Sequence, residues 1–226
     1  MAATKATKVN PIIVFDFETG GLKCRENPAC EIAMMALDGE TLKEVGRYES
    51  YFSYYLMEYV PKALEYNQLT LEKLNREGKE VKAVVEEVCK WIKSMNFGTT
   101  KKPRLVGQNV QFDIGFLQQI FTNSKVEMSK YIDGAVDFHG NFQPDYFDTL
   151  SISQLAYGND QSMGGYSLGV IAQKVGVSLT DGHKAMNDVI ATKEILIQYV
   201  NRLRNSSSNN SQETTIRARE GFHFQF

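Results

Sequence analysis

Residues 11–20 have the sequence PIIVFDFETG, an apolar run rich in β-branched and aromatic residues that ends in two carboxylates. The run predicts a central β-strand over residues 11–17. Because side chains alternate along a strand, Asp16 and Glu18 share one face and the two phenylalanines share the other. Neighbouring carboxylates repel each other unless a cation lies between them, and hard oxygen ligands suit Mg²⁺ or Mn²⁺.

A D-x-E pair is common by chance, and an exposed strand face is its ordinary explanation. Here the pair ends an apolar strand and leads directly into Thr19-Gly20-Gly21. Such a turn lets backbone N–H groups approach a ligand closely, because glycine adopts conformations closed to other residues. The context therefore favours a functional site.

Two further acidic segments are candidates for the same site. Asp113 lies at the start of a predicted helix, where an acidic residue also has the ordinary role of complementing the helix dipole. The segment DGHKAMND places His183 on a loop and Asp188 in the first turns of the last long helix. A histidine at a helix entry is more often a surface residue, but its position five residues before Asp188 makes it a better candidate.

The remaining pattern predicts an α/β domain with a mixed sheet. The runs 31–37 and 44–52 flank an Asp38-Gly39 turn signal and indicate a hairpin. Short strands are expected at 104–107 and 147–150, and residues 122–145 are expected to be an irregular insertion. Helices are predicted over 70–76 with Thr70 as N-cap, from Val81 to Met95, and over 111–121, 166–175 and 185–204.

Length and composition limit the class of protein. A chain of 226 residues is typical of one domain, with residues 1–10 as a flexible arm and 205–226 as a flexible tail that ends in GFHFQF. No apolar stretch is long enough to cross a bilayer, and no signal peptide precedes the domain, so we expect a cytoplasmic protein, bacterial or in a virus-infected host. The three cysteines are far apart, which indicates reduced thiols.

Net charge does not decide whether nucleic acid is a partner. The formal charge is −2, but a metal-dependent nuclease concentrates carboxylates in its own site. A basic cluster, equally well explained by a solvated surface or by phosphate contacts, comprises Lys90, Lys93, Lys101, Lys102 and Arg104.

Taken together, three segments resemble the motifs of the DEDDh, or DnaQ-like, 3′→5′ exonucleases of the ribonuclease H-like superfamily. The first motif corresponds to Asp16-Phe17-Glu18-Thr19-Gly20, the second to Asn109-Val110-Gln111-Phe112-Asp113, and the third to His183-Lys184-Ala185-Met186-Asn187-Asp188. Further landmarks are Glu31-Ile32-Ala33, Asp148-Thr149-Leu150 and Tyr166-Ser167-Leu168. Each motif alone is weak, but their order over residues 11–203 is specific.

The resemblance implies a ribonuclease H-like fold over residues 11–204, with a five-stranded mixed sheet flanked by helices. It implies that Asp16, Glu18 and Asp188 hold one divalent metal ion, Mg²⁺ or Mn²⁺, and that Asp113 anchors a second one. His183 would take the proton from the attacking water. Contacts to the nucleic acid would come from Thr19, Gly20, Leu22, Asn109 and Phe112, the last of which is equally well explained as a core aromatic.

The implied activity is removal of nucleoside monophosphates from the 3′ ends of single-stranded DNA, as in proofreading or repair. The same chemistry on RNA 3′ ends, as in RNase T or oligoribonuclease, is an alternative. A catalytically silent module that binds nucleic acid or a polymerase is a further one. Residues 67–70, NQLT, depart from the His-Gly-Ile-Thr of many relatives. The alternating Phe222, Phe224 and Phe226 suggest a docking segment for a polymerase or sliding clamp, although a tail that packs on its own domain or is disordered is the more ordinary explanation.

Overall fold

The computed structural model describes residues 9–53, 57–95, 97, 101–179 and 184–209, with side chains to residue 205. His183 and the aromatic tail lie outside these ranges. A five-stranded sheet has the order β3-β2-β1-β4-β7. Its strands are β1 (Ile12–Thr19), β2 (Ala29–Leu37), β3 (Glu44–Tyr51), β4 (Arg104–Gly107) and β7 (Tyr146–Asp148). The two antiparallel pairs β1–β2 and β2–β3, together with the parallel pairs β1–β4 and β4–β7, confirm the predicted mixed sheet.

Helices cover both faces of the sheet. They are α1 (Pro61–Tyr66), α2 (Leu71–Glu77), α3 (Val81–Ser94), α4 (Val110–Asn123), α5 (Thr149–Tyr157), α6 (Leu168–Val175) and α7 (Ala185–Asn209). On one face, Phe15 and Phe17 pack in a core that α3 and α4 complete. On the other face, Ile12 and Val14 pack against α7. The alternation of β1 therefore fixes which of its side chains meet which helix layer.

The predicted N-cap of α2 is confirmed, since the side chain of Thr70 accepts a hydrogen bond from the backbone N–H of Lys73 at 3.1 Å. Helix α1 was not predicted. It has six residues, none of them buried, so it has no apolar stripe to detect in the sequence, and it begins with Pro61 at its first position.

The prediction of an irregular insertion at 122–145 is wrong in part. The segment holds a 3₁₀ turn (Met128–Lys130) and a separate hairpin of β5 (Gly134–Val136) and β6 (Phe142–Pro144). Strands of three residues are too short for a readable alternation.

The predicted start of the flexible tail at residue 205 also needs correction, because α7 continues to Asn209. Extending an existing helix adds one hydrogen bond for each residue fixed, so a polar serine and asparagine run can continue a helix that the core has already formed.

Among the described residues, no helix combines the length and the hydropathy of a membrane-spanning segment.

Candidate metal centre

Asp16 and Glu18 lie at the carboxyl end of β1, on the strand face that meets α7. Glu18 is 7% exposed, and Asp16 is partly exposed. The phenylalanines on either side of Asp16 point into the opposite core. The alternation inferred from the sequence therefore places both carboxylates on one face.

Asp113 joins this pair because β1 is longer than its parallel neighbour. The β1–β4 pairing ends at Val14, so the backbone N–H of Phe17 has no partner in β4. The Oδ1 atom of Asp113, in the first turn of α4, accepts a hydrogen bond from that N–H at 3.1 Å. This contact holds the buried carboxylate of Asp113 beside the end of β1.

Asp188 completes the group from the first turn of α7. One carboxylate oxygen each of Asp16, Glu18 and Asp188 lies within 4.8 Å of the others. Three carboxylate oxygens this close form a set that a hard divalent cation can bridge.

Without a bound cation, the carboxyl groups of this cluster have raised pKa values, because their ionised forms are unfavourable there. Burial, with the charges of Asp188, Glu31 and Asp113, raises the pKa of Glu18 to about 8. Burial is also the main cause that raises the pKa of Asp16 well above its ordinary value, followed by the charges of Asp113 and Asp188. Burial raises the pKa of Asp113 to about 8, although the N–H of Phe17 opposes the shift. In each case burial first, and then the neighbouring carboxylates, disfavour the ionised form of the group.

Glu31, from the landmark Glu31-Ile32-Ala33, is a further carboxylate at this site that was not among the predicted site residues. It lies directly opposite Glu18 in the β1–β2 register and is 3% exposed. Burial raises its pKa to about 7, with a contribution from Glu49, while Lys73 and the backbone N–H of Ala185 lower it. Glu31 on β2 therefore links this strand to Ala185, the first residue of α7. The pairing register of the predicted strands could have placed Glu31 opposite Glu18.

The turn after β1 is tightly packed, which explains its glycines. A Cβ on Gly20 would lie 2.8 Å from Cγ of Pro28, and one on Gly21 would lie 2.4 Å from the side chain of Asn27. The buried Asn67, in the segment that departs from the resemblance, donates its Nδ2–H to the backbone oxygen of Thr19 at 3.0 Å. Asn67 thus fixes the chain next to Glu18.

A cleft of about 960 Å³ opens over the carboxylates. Among the predicted nucleic-acid contacts, Thr19, Leu22 and Phe112 line it, and the side chain of Leu22 is 82% exposed at its edge. Gly20 and Asn109, two other predicted contacts, are not among the described residues that line the cleft. Gly20 is buried within the turn. Lys23 and Lys62 line its walls together with Glu26 and Glu58, and Lys23 is paired with Glu26 at 2.8 Å.

Asn109 has a structural place near the site. It adopts a left-handed conformation, with φ of 56°, just before α4, and its backbone N–H donates to Oδ1 of Asp148 at 2.9 Å. The same oxygen accepts from the N–H of Leu150 and caps α5. Asp148 thus ties the loop that delivers Asp113 to the start of α5. Asparagine suits this backbone because it tolerates positive φ.

Comparison with known proteins agrees with this geometry. The exonuclease family model RNase_T matches residues 13–196. The chain is 25% identical over 202 residues to a PolC-type DNA polymerase III of Staphylococcus epidermidis, a match that covers 89% of this chain and 12% of that protein. It is 25% identical over 186 residues to the PolC-type enzyme of Clostridium perfringens, covering 81% of this chain and 11% of that one. The chain therefore spans about an eighth of the length of these relatives.

The fold matches that of Escherichia coli exonuclease I in complex with a dT13 oligonucleotide, with a TM-score of 0.69 at 19% identity. The match covers 88% of this chain and 43% of that one. A complex named ExoI/SSB-Ct aligns with a TM-score of 0.68 at 18% identity, covering 89% and 43%. These similarities establish the ribonuclease H-like fold.

Proposed function

The chain belongs to the exonuclease family, and from this premise we propose that it is a metal-dependent 3′→5′ exonuclease acting on single-stranded DNA. The observation that supports this most is the meeting of Asp16, Glu18 and Asp188 within 4.8 Å at the base of the cleft. Phosphodiester hydrolysis needs positive charge next to the scissile phosphate, and this carboxylate set is suited to hold it.

The donor set fits divalent metal ions. The raised pKa values of Asp16, Glu18 and Asp113 reflect repulsion and burial that a bound cation would offset. In the proposed site, Asp16, Glu18 and Asp188 would hold one Mg²⁺ or Mn²⁺, and Asp113, with Asp16, would hold a second. When bound, two such ions supply charge that stabilises the attacking and leaving oxygens of an in-line displacement.

The protein's own groups have separate tasks in this proposal. His183, which lies outside the described residues, takes the proton from the attacking water, since its ordinary pKa is near 6.5. Thr19 and Leu22 contact the terminal nucleotide, and Phe112 offers a ring for stacking on a base. Lys62, on the cleft wall, attracts the strand's phosphates.

Single-stranded DNA is the proposed substrate because exonuclease I, which shares the fold, binds a dT13 oligonucleotide, and the PolC-type relatives are DNA polymerases. Whether the cleft also accepts a 2′-hydroxyl separates this proposal from the RNA alternative. Matched DNA and RNA strands with the same sequence distinguish the two.

The test is digestion of a 5′-labelled single strand with Mg²⁺ or Mn²⁺. A 3′→5′ exonuclease produces a ladder that shortens one nucleotide at a time, and DNA should be degraded faster than RNA. Glu86→Gln, which changes an exposed carboxylate on α3, is the matched control and should retain full activity. Immediate release of a labelled mononucleotide or of internal fragments would contradict the polarity.

We also place the activity in DNA replication or repair. The PolC-type relatives are DNA polymerases by name, and the complex of exonuclease I with SSB-Ct is a precedent for a protein partner. The segment 210–226, which lies outside the described residues, remains the proposed docking element for a polymerase or clamp. Removing it should leave digestion of short oligonucleotides unchanged and abolish binding to the purified partner. Unchanged partner binding would refute the docking role.

A further inference from the structure

One loop forms a wall common to two clefts. Leu22, Lys23, Glu26 and Asn27 line the cleft over the carboxylates, whereas Cys24 and Arg25 line a second cleft of about 830 Å³. The segment hydrogen-bonded to this loop is divided in the same way, since Glu58 lines the first cleft and its neighbour Met57 lines the second. The two clefts therefore adjoin each other along a single ridge formed by residues 22–27 and 57–58.

Hydrogen bonds hold this ridge in place. The side chain of Asn27 accepts from the N–H of Lys23 at 3.0 Å and donates to the backbone oxygen of Glu58 at 2.9 Å. The side-chain amide of Gln119 on α4 donates to the backbone oxygen of Cys24. The ridge is therefore ordered before a ligand binds across it, which lowers the entropy cost of binding.

The insertion 122–145 supplies the far side of the second cleft. Beyond the end of α4, Asn141 and Gln143 line it, together with Gln118, Thr122 and Asn123 of α4 itself. Among its lining residues, Arg25 and Glu127 carry opposite charges. The lining is therefore close to neutral, and it is rich in amide side chains. Amides both donate and accept hydrogen bonds, which suits sugars, bases and phosphates alike.

The tip of the β5–β6 hairpin stands next to this cleft and presents aromatic rings. Phe138 is 98% exposed, and its ring lies 5.4 Å from that of His139 in an edge-to-face arrangement. Asp137 orders the turn, because its Oδ1 accepts from the backbone N–H groups of His139 and Asn141 at 2.9 Å each. An exposed ring on an ordered turn contributes nothing to the core and is available for stacking.

We infer that the second cleft and Phe138 bind the nucleotides upstream of the 3′ end, so that one strand lies across the ridge from the carboxylates to the hairpin. This inference rests on the proposed function, and it gives the insertion a role in holding the substrate strand. Continuity with the active cleft identifies the occupant, and a solvent-exposed aromatic ring is the platform on which unpaired bases stack without sequence preference.

Initial rates on a trinucleotide and on a single strand of about ten nucleotides test the inference. The short substrate occupies only the first cleft, whereas the long one reaches the hairpin. Phe138→Ala should raise KM for the long strand about fivefold or more, the loss typical of one stacked base, with kcat unchanged. KM for the trinucleotide should stay the same.

Leu155→Ala is the matched control, since Leu155 is 89% exposed on α5 and lines neither described cleft. It should change neither KM. Equal KM values of the Phe138→Ala variant and the parent protein on the long strand, or an equal rise on both substrates, would overturn the inference. Absence of all hydrolysis by the parent protein would instead refute the proposed function, so the two failures are distinguishable.

Discussion

Replacing Glu18 by glutamine should stabilise the metal-free protein above neutral pH, although Glu18 is a proposed metal ligand. The carboxyl is 7% exposed, and burial with the charges of Asp188, Glu31 and Asp113 raises its pKa from 4.5 to about 8. Below pH 4.5 the group is protonated in both the folded and the unfolded state, so it has no effect on the pH dependence. Between the two pKa values the folded state binds more protons than the unfolded state, so stability falls as the pH rises.

The size of the effect follows from the same values. A pKa difference of this size corresponds to a penalty on the order of 5 kcal/mol once the pH exceeds the folded-state pKa. Relaxation and the loss of the carboxylate's own contacts reduce the gain, so we expect Glu18→Gln to stabilise the protein by about 2 kcal/mol at high pH. In a domain of this size that gain raises Tm by roughly 4–8 °C.

The assay is thermal unfolding in a chelator at about pH 5 and about pH 8.5, with Glu86→Gln as the control for an exposed carboxylate. The Glu18→Gln variant should gain stability over the parent protein only at the higher pH. Added Mg²⁺ should stabilise the parent protein and stabilise this variant much less. Equal pH dependence of the two proteins, or a loss of stability in the variant at the higher pH, would refute the reasoning.

Three further predictions concern single side chains. His183→Ala should slow turnover about 10²–10⁴-fold with oligonucleotide binding unchanged, measured by single-turnover rates and fluorescence anisotropy, and parallel loss of both would contradict its role as the base. Gln68→Gly should stabilise the protein by up to about 1 kcal/mol in urea unfolding, because Gln68 has φ of 55°, and a clear destabilisation would show that this backbone is not strained. Thr70→Ala should cost about 0.5–2 kcal/mol in the same assay because it removes the cap of α2, whereas no change would mean that the hydrogen bond to Lys73 contributes nothing.

Much of the fold could be predicted because its elements have clear periodicity. The apolar run of β1, the hairpin around Asp38 and the helical spacing of α3 all correspond to observed elements. Helix α1 and the β5–β6 hairpin could not be read in the same way, since six- and three-residue elements show no stripe or alternation. Their positions depend on contacts with distant parts of the chain.

The candidate site was predictable where it depended on strand alternation and on motif order. The sequence could not show how Asp113 reaches the other carboxylates, because its hydrogen bond to Phe17 exists only where β1 extends past the paired part of β4. The proximity of Glu31 to Glu18 likewise depends on the exact hairpin register. Gly20 was expected to contact nucleic acid, whereas the structure packs it against Pro28.

We propose that the carboxylate cluster makes the chain a cation-dependent exonuclease. The most direct measurement follows mononucleotide release from a 3′-labelled single strand, first in a chelator and then after excess Mg²⁺ is added. The parent protein and Glu86→Gln should release the label only after the cation is added, and a folded Asp16→Asn variant should release none. Equal release in the chelator, or parent-like release by Asp16→Asn, would contradict the account.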